Sequence, residues 1–332
     1  MSKAPQAPQK PRSHRQHDIE RPDPYGWLRA DNWQEVMKDP SVLDPEIRAY
    51  LEAENAYVKE RLKTTEDLQT TLFEEYRSRI KEDDSSVPAP DGDWSYYSKD
   101  ETGGQHPIFC RRPRPDPDDR AEQVLLHGDR MAEGLSYFRI GGADHSHNHR
   151  ILAYAVDTNG SERYEIRFKD LDSGELLDDA IAETSGDFTW ARDNRTIFYT
   201  VLDDNHRPLK VLRHTLGTAI KDDIVVYEEQ DAGFFVGVDQ TESRAFILIN
   251  THSHVTSECW MIPSDAPDTP PRLVAARENE VEYDVSHHGD RLLIRTNRDG
   301  AEDYKIVTAP LDATAASNWR DLVPHESGRM II

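Results

Sequence analysis

Cysteine is nearly absent from this sequence: Cys110 and Cys259 are the only two among 332 residues. They stand far apart and outside any C-x-x-C context. They therefore read as buried or half-buried thiols of a reducing compartment, not as a disulfide framework. Long apolar runs are missing too, and no stretch approaches the length that spans a bilayer, so no membrane partner is expected. The opening Met1-Ser2-Lys3-Ala4-Pro5 leads into a stretch rich in Pro, Gln, Arg and His without an apolar core. That is not the pattern of a signal peptide, and the expectation is a soluble, cytoplasmic protein. Positive charge is in short supply: 40 Lys and Arg face 63 Asp and Glu, a formal charge of −23 with a pI near 5.0. Such a field repels nucleic acid and anionic lipid and draws cationic ligands from a distance. General acidic solubility or adaptation to salt accounts for the same charge, which alone names no ligand.

What the sequence does carry is a strand pattern that returns four times. Arg150 opens Ile151-Leu152-Ala153-Tyr154-Ala155, and Arg195 opens Thr196-Ile197-Phe198-Tyr199-Thr200. Arg244 opens Ala245-Phe246-Ile247-Leu248-Ile249, and Arg291 opens Leu292-Leu293-Ile294-Arg295-Thr296. The spacings are 45, 49 and 47 residues, and each copy is flanked by polar turns and followed by a second strand. Periods of this size with several strands per unit mark β-propeller blades. One blade cannot bury both faces of its sheet, so the repeats must stack around an axis. A composition of 36% hydrophobic and 31% charged residues suits this, because the core is a set of thin layers between blades.

Residues 1–22 are polar and Pro-rich and are expected to be disordered. A helical segment follows within residues 23–82. Asp44-Pro45 is a helix start, and Ile47, Tyr50, Leu51, Tyr57, Val58 and Leu62 fall mostly on one face. Thr64 or Thr65 can cap a further helix containing Leu68, Leu72, Phe73, Tyr76 and Ile80. Lys81 to Pro88 breaks the helices, and residues 83–332 read as a mainly β propeller of about five blades. The first blade begins at Trp94-Ser95-Tyr96-Tyr97, turns through Gly103-Gly104 and returns through Pro107-Ile108-Phe109-Cys110. Arg111 to Arg120, with prolines at 113, 115 and 117, reads as an exposed charged loop. Met330-Ile331-Ile332 reads as the opening of another strand.

Several of these segments are specific. Asp23-Pro24-Tyr25-Gly26-Trp27-Leu28, Glu54-Asn55-Ala56-Tyr57, and Tyr96-Tyr97 followed by Pro107 to Arg112 resemble oligopeptidase B, a branch of the prolyl oligopeptidase family of serine peptidases. So do Glu162 to Arg167, Trp190 to Asn194, Arg213 to Thr218, Val225 with Tyr227-Glu228-Glu229, and Arg295-Thr296-Asn297. They run in order from residue 23 across nearly the whole chain. The resemblance implies a seven-bladed propeller inserted into an α/β-hydrolase domain, of which the N-terminal helical segment is the first part. It implies a Ser–Asp–His triad in that domain, cleavage of short peptides after Arg or Lys, and a propeller that gates access of the substrate. Short basic peptides are thus the implied substrate partners, and the C-terminal catalytic domain is the implied intramolecular partner.

The sequence departs from that pattern at the nucleophile. An α/β-hydrolase presents its serine on a G-x-S-x-G turn. Here Gly134-Leu135-Ser136-Tyr137-Phe138 comes nearest and lacks the second glycine. No catalytic residue, metal ligand or cofactor is therefore assigned, the substrate-binding residues are left open, and the chain is expected to be the N-terminal portion of the enzyme, silent by itself. The competing expectation is a stand-alone propeller acting as a binding module.

Other candidates have simpler readings. His145, His147 and His149 can present imidazoles to a metal if extended, but they lie where the other repeats have a hairpin turn. His252 and His254 occupy what reads as the matching turn of a later blade. Arg111, Arg112, Arg114 and Arg120 interleave with Asp116, Asp118 and Asp119, as in a solvated loop. Asp203-Asp204 and Asp222-Asp223 can attract a cationic peptide from a channel, or simply serve as turn residues.

Overall fold

The computed structural model describes residues 3–115 and 121–332. The chain divides into two compact units, Met1–Val124 and Leu125–Ile332. The boundary expected between residues 82 and 83 thus falls inside the first unit, which holds the helices and most of one blade.

In that unit the polar N-terminal stretch is not structureless. β1 (Ser13–Gln16) and β2 (Ile19–Pro22) pair antiparallel across His17 and Asp18, both at positive φ. Two left-handed central residues match the twist of a tight hairpin. Three helices follow: α1 (Trp33–Lys38), α2 (Pro45–Leu62) and α3 (Glu66–Ser78). Asp44 caps α2 as its sequence predicts, its carboxylate accepting from the backbone N–H of Glu46 at 2.8 Å and Ile47 at 3.3 Å, with Pro45 in the first turn. Thr65 precedes α3 but does not cap it; its hydroxyl donates back to the Leu62 carbonyl. The apolar positions of α2 and α3 are largely uncovered. Ile47 alone is buried on α2, and Leu68, Phe73, Tyr76 and Ile80 are all more than half exposed.

Beyond the helices the chain is an antiparallel meander of strands in groups of four. β3 (Ala89–Asp91), β4 (Trp94–Lys99), β5 (Ile108–Pro113) and β6 (Gln123–His127) form the first sheet, and β6 runs across the boundary between the units. A short helix, α4 (Gly128–Met131), leads to β7 (Arg139–His145), β8 (Ile151–Asp157) and β9 (Tyr164–Asp170). The next strand, β10 (Leu176–Trp190), is 15 residues long and belongs to two blades. Its first part pairs with β9, its second with β11 (Thr196–Leu202), and its register shifts around Thr184. Gly186, at φ +94°, and Glu183, at φ +60°, adopt left-handed backbone beside that shift. β12 (Pro208–Thr215) and β13 (Ile224–Glu228) complete that blade. Two separate four-stranded sheets follow: β14 (Phe235–Gln240), β15 (Phe246–His252), β16 (Ser257–Pro263) and β17 (Arg272–Ala275), then β18 (Tyr283–His288), β19 (Arg291–Thr296), β20 (Lys305–Pro310) and β21 (Arg320–Val323). With β10 shared, the strands among the described residues make five blades.

Alternation along the second strands builds the layers between blades. Ile197 and Tyr199 of β11 pack with Ile166, Phe168 and Trp190, while Phe198 between them faces Val236, Ile247 and Ile262 of the following blade. On β15, Ile247 and Ile249 face back and Leu248 faces forward to Met261, Leu292 and Ile294. A period of two on a sheet buried on both faces produces these alternating allegiances.

The four Arg-led segments are the second strands β8, β11, β15 and β19, but the arginines do not hold one position. Arg150 and Arg195 follow a left-handed residue, His149 or Asn194, whereas Arg244 is itself the left-handed residue, at φ +56°. Arg291 pairs directly with His288 across the two-residue turn Gly289-Asp290. Residues 330–332 lie in no strand; Ile331 instead donates its N–H to the Asp303 carbonyl.

Candidate functional site

First strands in this meander put one residue type to two uses. On β14, Val236 and Val238 enter the layer between blades while Asp239 is exposed; on β18, Tyr283 and Val285 are buried while Asp284 is exposed. The far half of β10 likewise exposes Asp187. Asp284 is neutralised across its own hairpin by Arg295, whose Nη2 lies 2.6 Å away. Asp187 and Asp239, on consecutive blades, have no cationic partner among the described residues. Although Asp187 meets solvent at its surface, crowding raises its pKa; the Ser185 hydrogen bond opposes this and the charge of Asp239 adds to it. Two neighbouring carboxylates without a cation form a site that attracts guanidinium and ammonium groups.

Two buried polar clusters hold the blades that carry these strands. His214 on β12 is fully buried, its Nδ1 2.7 Å from Asp223 and its Nε2 3.0 Å from Asp179, so both ring nitrogens face carboxylates. The Tyr199 hydroxyl donates to the other Asp223 oxygen at 2.7 Å. Burial, then that hydrogen bond to a carboxylate, push the Tyr199 phenol well above its ordinary range. Arg277 ties together segments of two blades. Its Nη2 reaches Glu229 at 2.8 Å and Glu258 at 3.2 Å, and its guanidinium lies over the Phe234 ring at 3.9 Å. Burial opposes ionisation of Glu229, but Arg277, the Asp231 N–H and the Tyr227 hydroxyl outweigh it and hold the carboxyl below its ordinary range.

Residues singled out from the sequence are dispersed. His145 and His149 face each other, ring centroids 4.8 Å apart. His147 stands apart: burial first, and then the charges of Arg244 and Arg192, lower its pKa, and its Nε2 is buried without a hydrogen-bond partner among the described residues. The three do not form one ligand set. His252 and His254 sit between the second and third strands of their blade, whereas His145 to His149 link a first and a second strand, so the two turns do not match. His252 stacks with Phe235 at 5.8 Å. Arg111 and Arg112 are strand residues of β5, not a solvated loop. Arg111 is 2% exposed, lies over Trp94 at 3.8 Å and donates to Gln123, and Arg112 lies over Tyr97. Asp116, Asp118, Asp119 and Arg120 lie outside the described residues. Asp203 organises its turn, accepting from Asn205 N and Arg207 N. Asp223 is the buried partner of His214. Both cysteines are buried and free, and burial pushes the Cys110 thiol up to about 11. The partners of His214 and Arg277 lie 9 to 50 residues away, so no local motif announces either cluster.

Comparison with known proteins bears on the whole arrangement. The description "Prolyl oligopeptidase, N-terminal beta-propeller domain" fits residues 5–332. The chain is 40% identical over 323 residues to dipeptidyl aminopeptidase BI of Pseudoxanthomonas mexicana, covering 93% of this chain and 43% of that protein. It is 33% identical over 315 residues to protease 2 of Moraxella lacunata, covering 93% and 44%. Among solved structures, oligopeptidase B from Leishmania major superposes with a TM-score of 0.89 at 28% identity, over 98% of this chain and 47% of that one. Oligopeptidase B from Trypanosoma brucei, with covalently bound antipain, gives 0.88 at 28% identity over 99% and 47%. The chain thus spans less than half the length of each of these relatives.

Proposed function

The chain belongs to the prolyl oligopeptidase family of serine peptidases as its N-terminal β-propeller domain, and we propose that it is the gating portion of an oligopeptidase B-like endopeptidase. In the whole enzyme a hydrolase domain carries the Ser–Asp–His triad and cleaves short peptides after Arg or Lys, in the cytoplasm. The propeller, residues 83–332, admits short chains and holds back folded proteins. The helical segment, residues 23–82, packs on the hydrolase domain. The uncovered apolar residues of α2 and α3 support this role, since helices of a finished surface rarely leave such a stripe to water.

The observation that carries the reading is the likeness to oligopeptidase B over 98% of this chain at a TM-score of 0.89. The acidic charge of −23 and the unneutralised Asp187 and Asp239 support a preference for basic peptides, since a carboxylate-lined path concentrates cations near it. Because the sequence holds no G-x-S-x-G turn, this chain alone is inactive. Incubating the purified chain with a small Arg-linked chromogenic substrate tests that point. No hydrolysis is expected, and turnover blocked by a serine-directed inhibitor would overturn it.

A further inference from the structure

His214 is set in surroundings that fix its protons. It is fully buried on β12, with Nδ1 2.7 Å from Asp223 Oδ1 and Nε2 3.0 Å from Asp179 Oδ1. The two acids are nearly as inaccessible, their side chains 2% and 11% exposed. Among the described residues, no lysine or arginine pairs with either of them. Tyr199 from β11 donates its hydroxyl to Asp223 Oδ2, and β9 contributes the Phe168 ring, its centroid 6.4 Å from that of the imidazole. The bridge joins two blades. Asp179 lies in the first part of β10, which pairs with β9, whereas β12 and Asp223 belong to the following blade.

Counting donors decides the state of this trio. A neutral imidazole carries one N–H and donates to one carboxylate only. Its other nitrogen would then turn a lone pair toward an oxygen that is itself an acceptor. Asp179 Oδ1 already accepts from the Gly217 N–H at 2.7 Å, which marks it as a carboxylate oxygen and not a hydroxyl. On the other side, burial and the bond to Asp223 keep the Tyr199 phenol protonated, so it donates to that carboxylate. Both contacts are therefore met only when His214 carries a proton on each nitrogen. The resulting cation offsets two carboxylates that burial would otherwise leave unpaired.

We propose that His214 is a proton-operated clasp between these two blades: doubly protonated it ties Asp179 to Asp223, and loss of one ring proton turns the contact with Asp179 into repulsion and releases it. The device lies among β9 to β13 and does not depend on the peptidase reading. In the unfolded chain an ordinary histidine gives up that proton above about pH 6.5. The contribution of the clasp is thus complete below that pH and declines above it, by up to about tenfold in the folding equilibrium per pH unit, the slope of one linked proton. Urea unfolding of the 332-residue chain between pH 6 and pH 9, beside Asp179→Asn, tests this. The amide of the variant can donate to an unprotonated Nε2 while its oxygen still accepts from Gly217, so the variant needs no second ring proton. The native chain is expected to lose stability relative to the variant as pH rises, approaching tenfold per unit. A second measurement needs no variant. With histidine labelled with 15N, one imidazole at pH 8 should show both nitrogens protonated and both N–H protons slow to exchange with water. Equal pH slopes in the two proteins, or the absence of such an imidazole, would overturn the proposal.

Discussion

Arg277 neutralises two carboxylates that are nearly inaccessible, Glu229 at 5% and Glu258 at 8% exposure. Removing it leaves two buried carboxylates without a cation, so Arg277→Met should destabilise the chain by about 3–5 kcal/mol in urea unfolding. The pH dependence follows from Glu229, whose folded pKa lies below its ordinary value. Its contribution is fully present above the ordinary glutamate range and is lost as pH falls through the lowered value. The deficit of the variant should therefore be largest near neutrality and narrow in acid. Asp187 behaves in the opposite sense: although its surface meets solvent, the protein packed around it and the charge of Asp239 raise its pKa. Ionised Asp187 works against folding above the ordinary carboxylate range, so Asp187→Asn should raise the melting temperature at pH 7. That gain should disappear as pH falls into the carboxylate range, where the native side chain is protonated as well. The same variant should weaken binding of an Arg-rich peptide measured at low salt.

Elements were legible where local pattern and tertiary demand agree. The second strands β8, β11, β15 and β19 show in the sequence because each carries a run of consecutive apolar residues that is largely buried. The cap of α2 shows because Asp44-Pro45 acts within three residues. β10 does not show: Asp178, Asp179, Ser185, Gly186 and Asp187 interrupt any apolar run, and only pairing with β9 on one side and β11 on the other makes one long strand of them. The candidate site was less legible than the fold. Asp187 and Asp239 lie 52 positions apart and meet only because consecutive blades stack. Arg111 misled for the opposite reason, since a charged residue buried against Trp94 carries the same letter as one in solvent. Packing at the β7–β10 junction gives its own test. Gly141→Ala places a methyl within the Tyr164 ring contact and should cost about 1–3 kcal/mol of stability. In a Tyr164→Leu background the same substitution should cost less, and a double-mutant cycle over the four proteins measures the coupling.

At the scale of the whole molecule, five blades and a stripe of uncovered apolar helix residues stand in a chain covering less than half of each relative's length. Inter-blade layers account for the stacking of the blades in the second unit, with Phe198 and Leu248 each reaching into the next sheet. They do not account for the exposed Leu68, Phe73, Tyr76 and Ile80, which a catalytic domain would cover. Such a domain must be encoded with the propeller if the two form one enzyme. The coding sequence downstream of the Ile332 codon decides the matter most directly. Continuation in frame through further blade strands to a G-x-S-x-G serine is the expected result, and a natural stop codon immediately after Ile332 would contradict it.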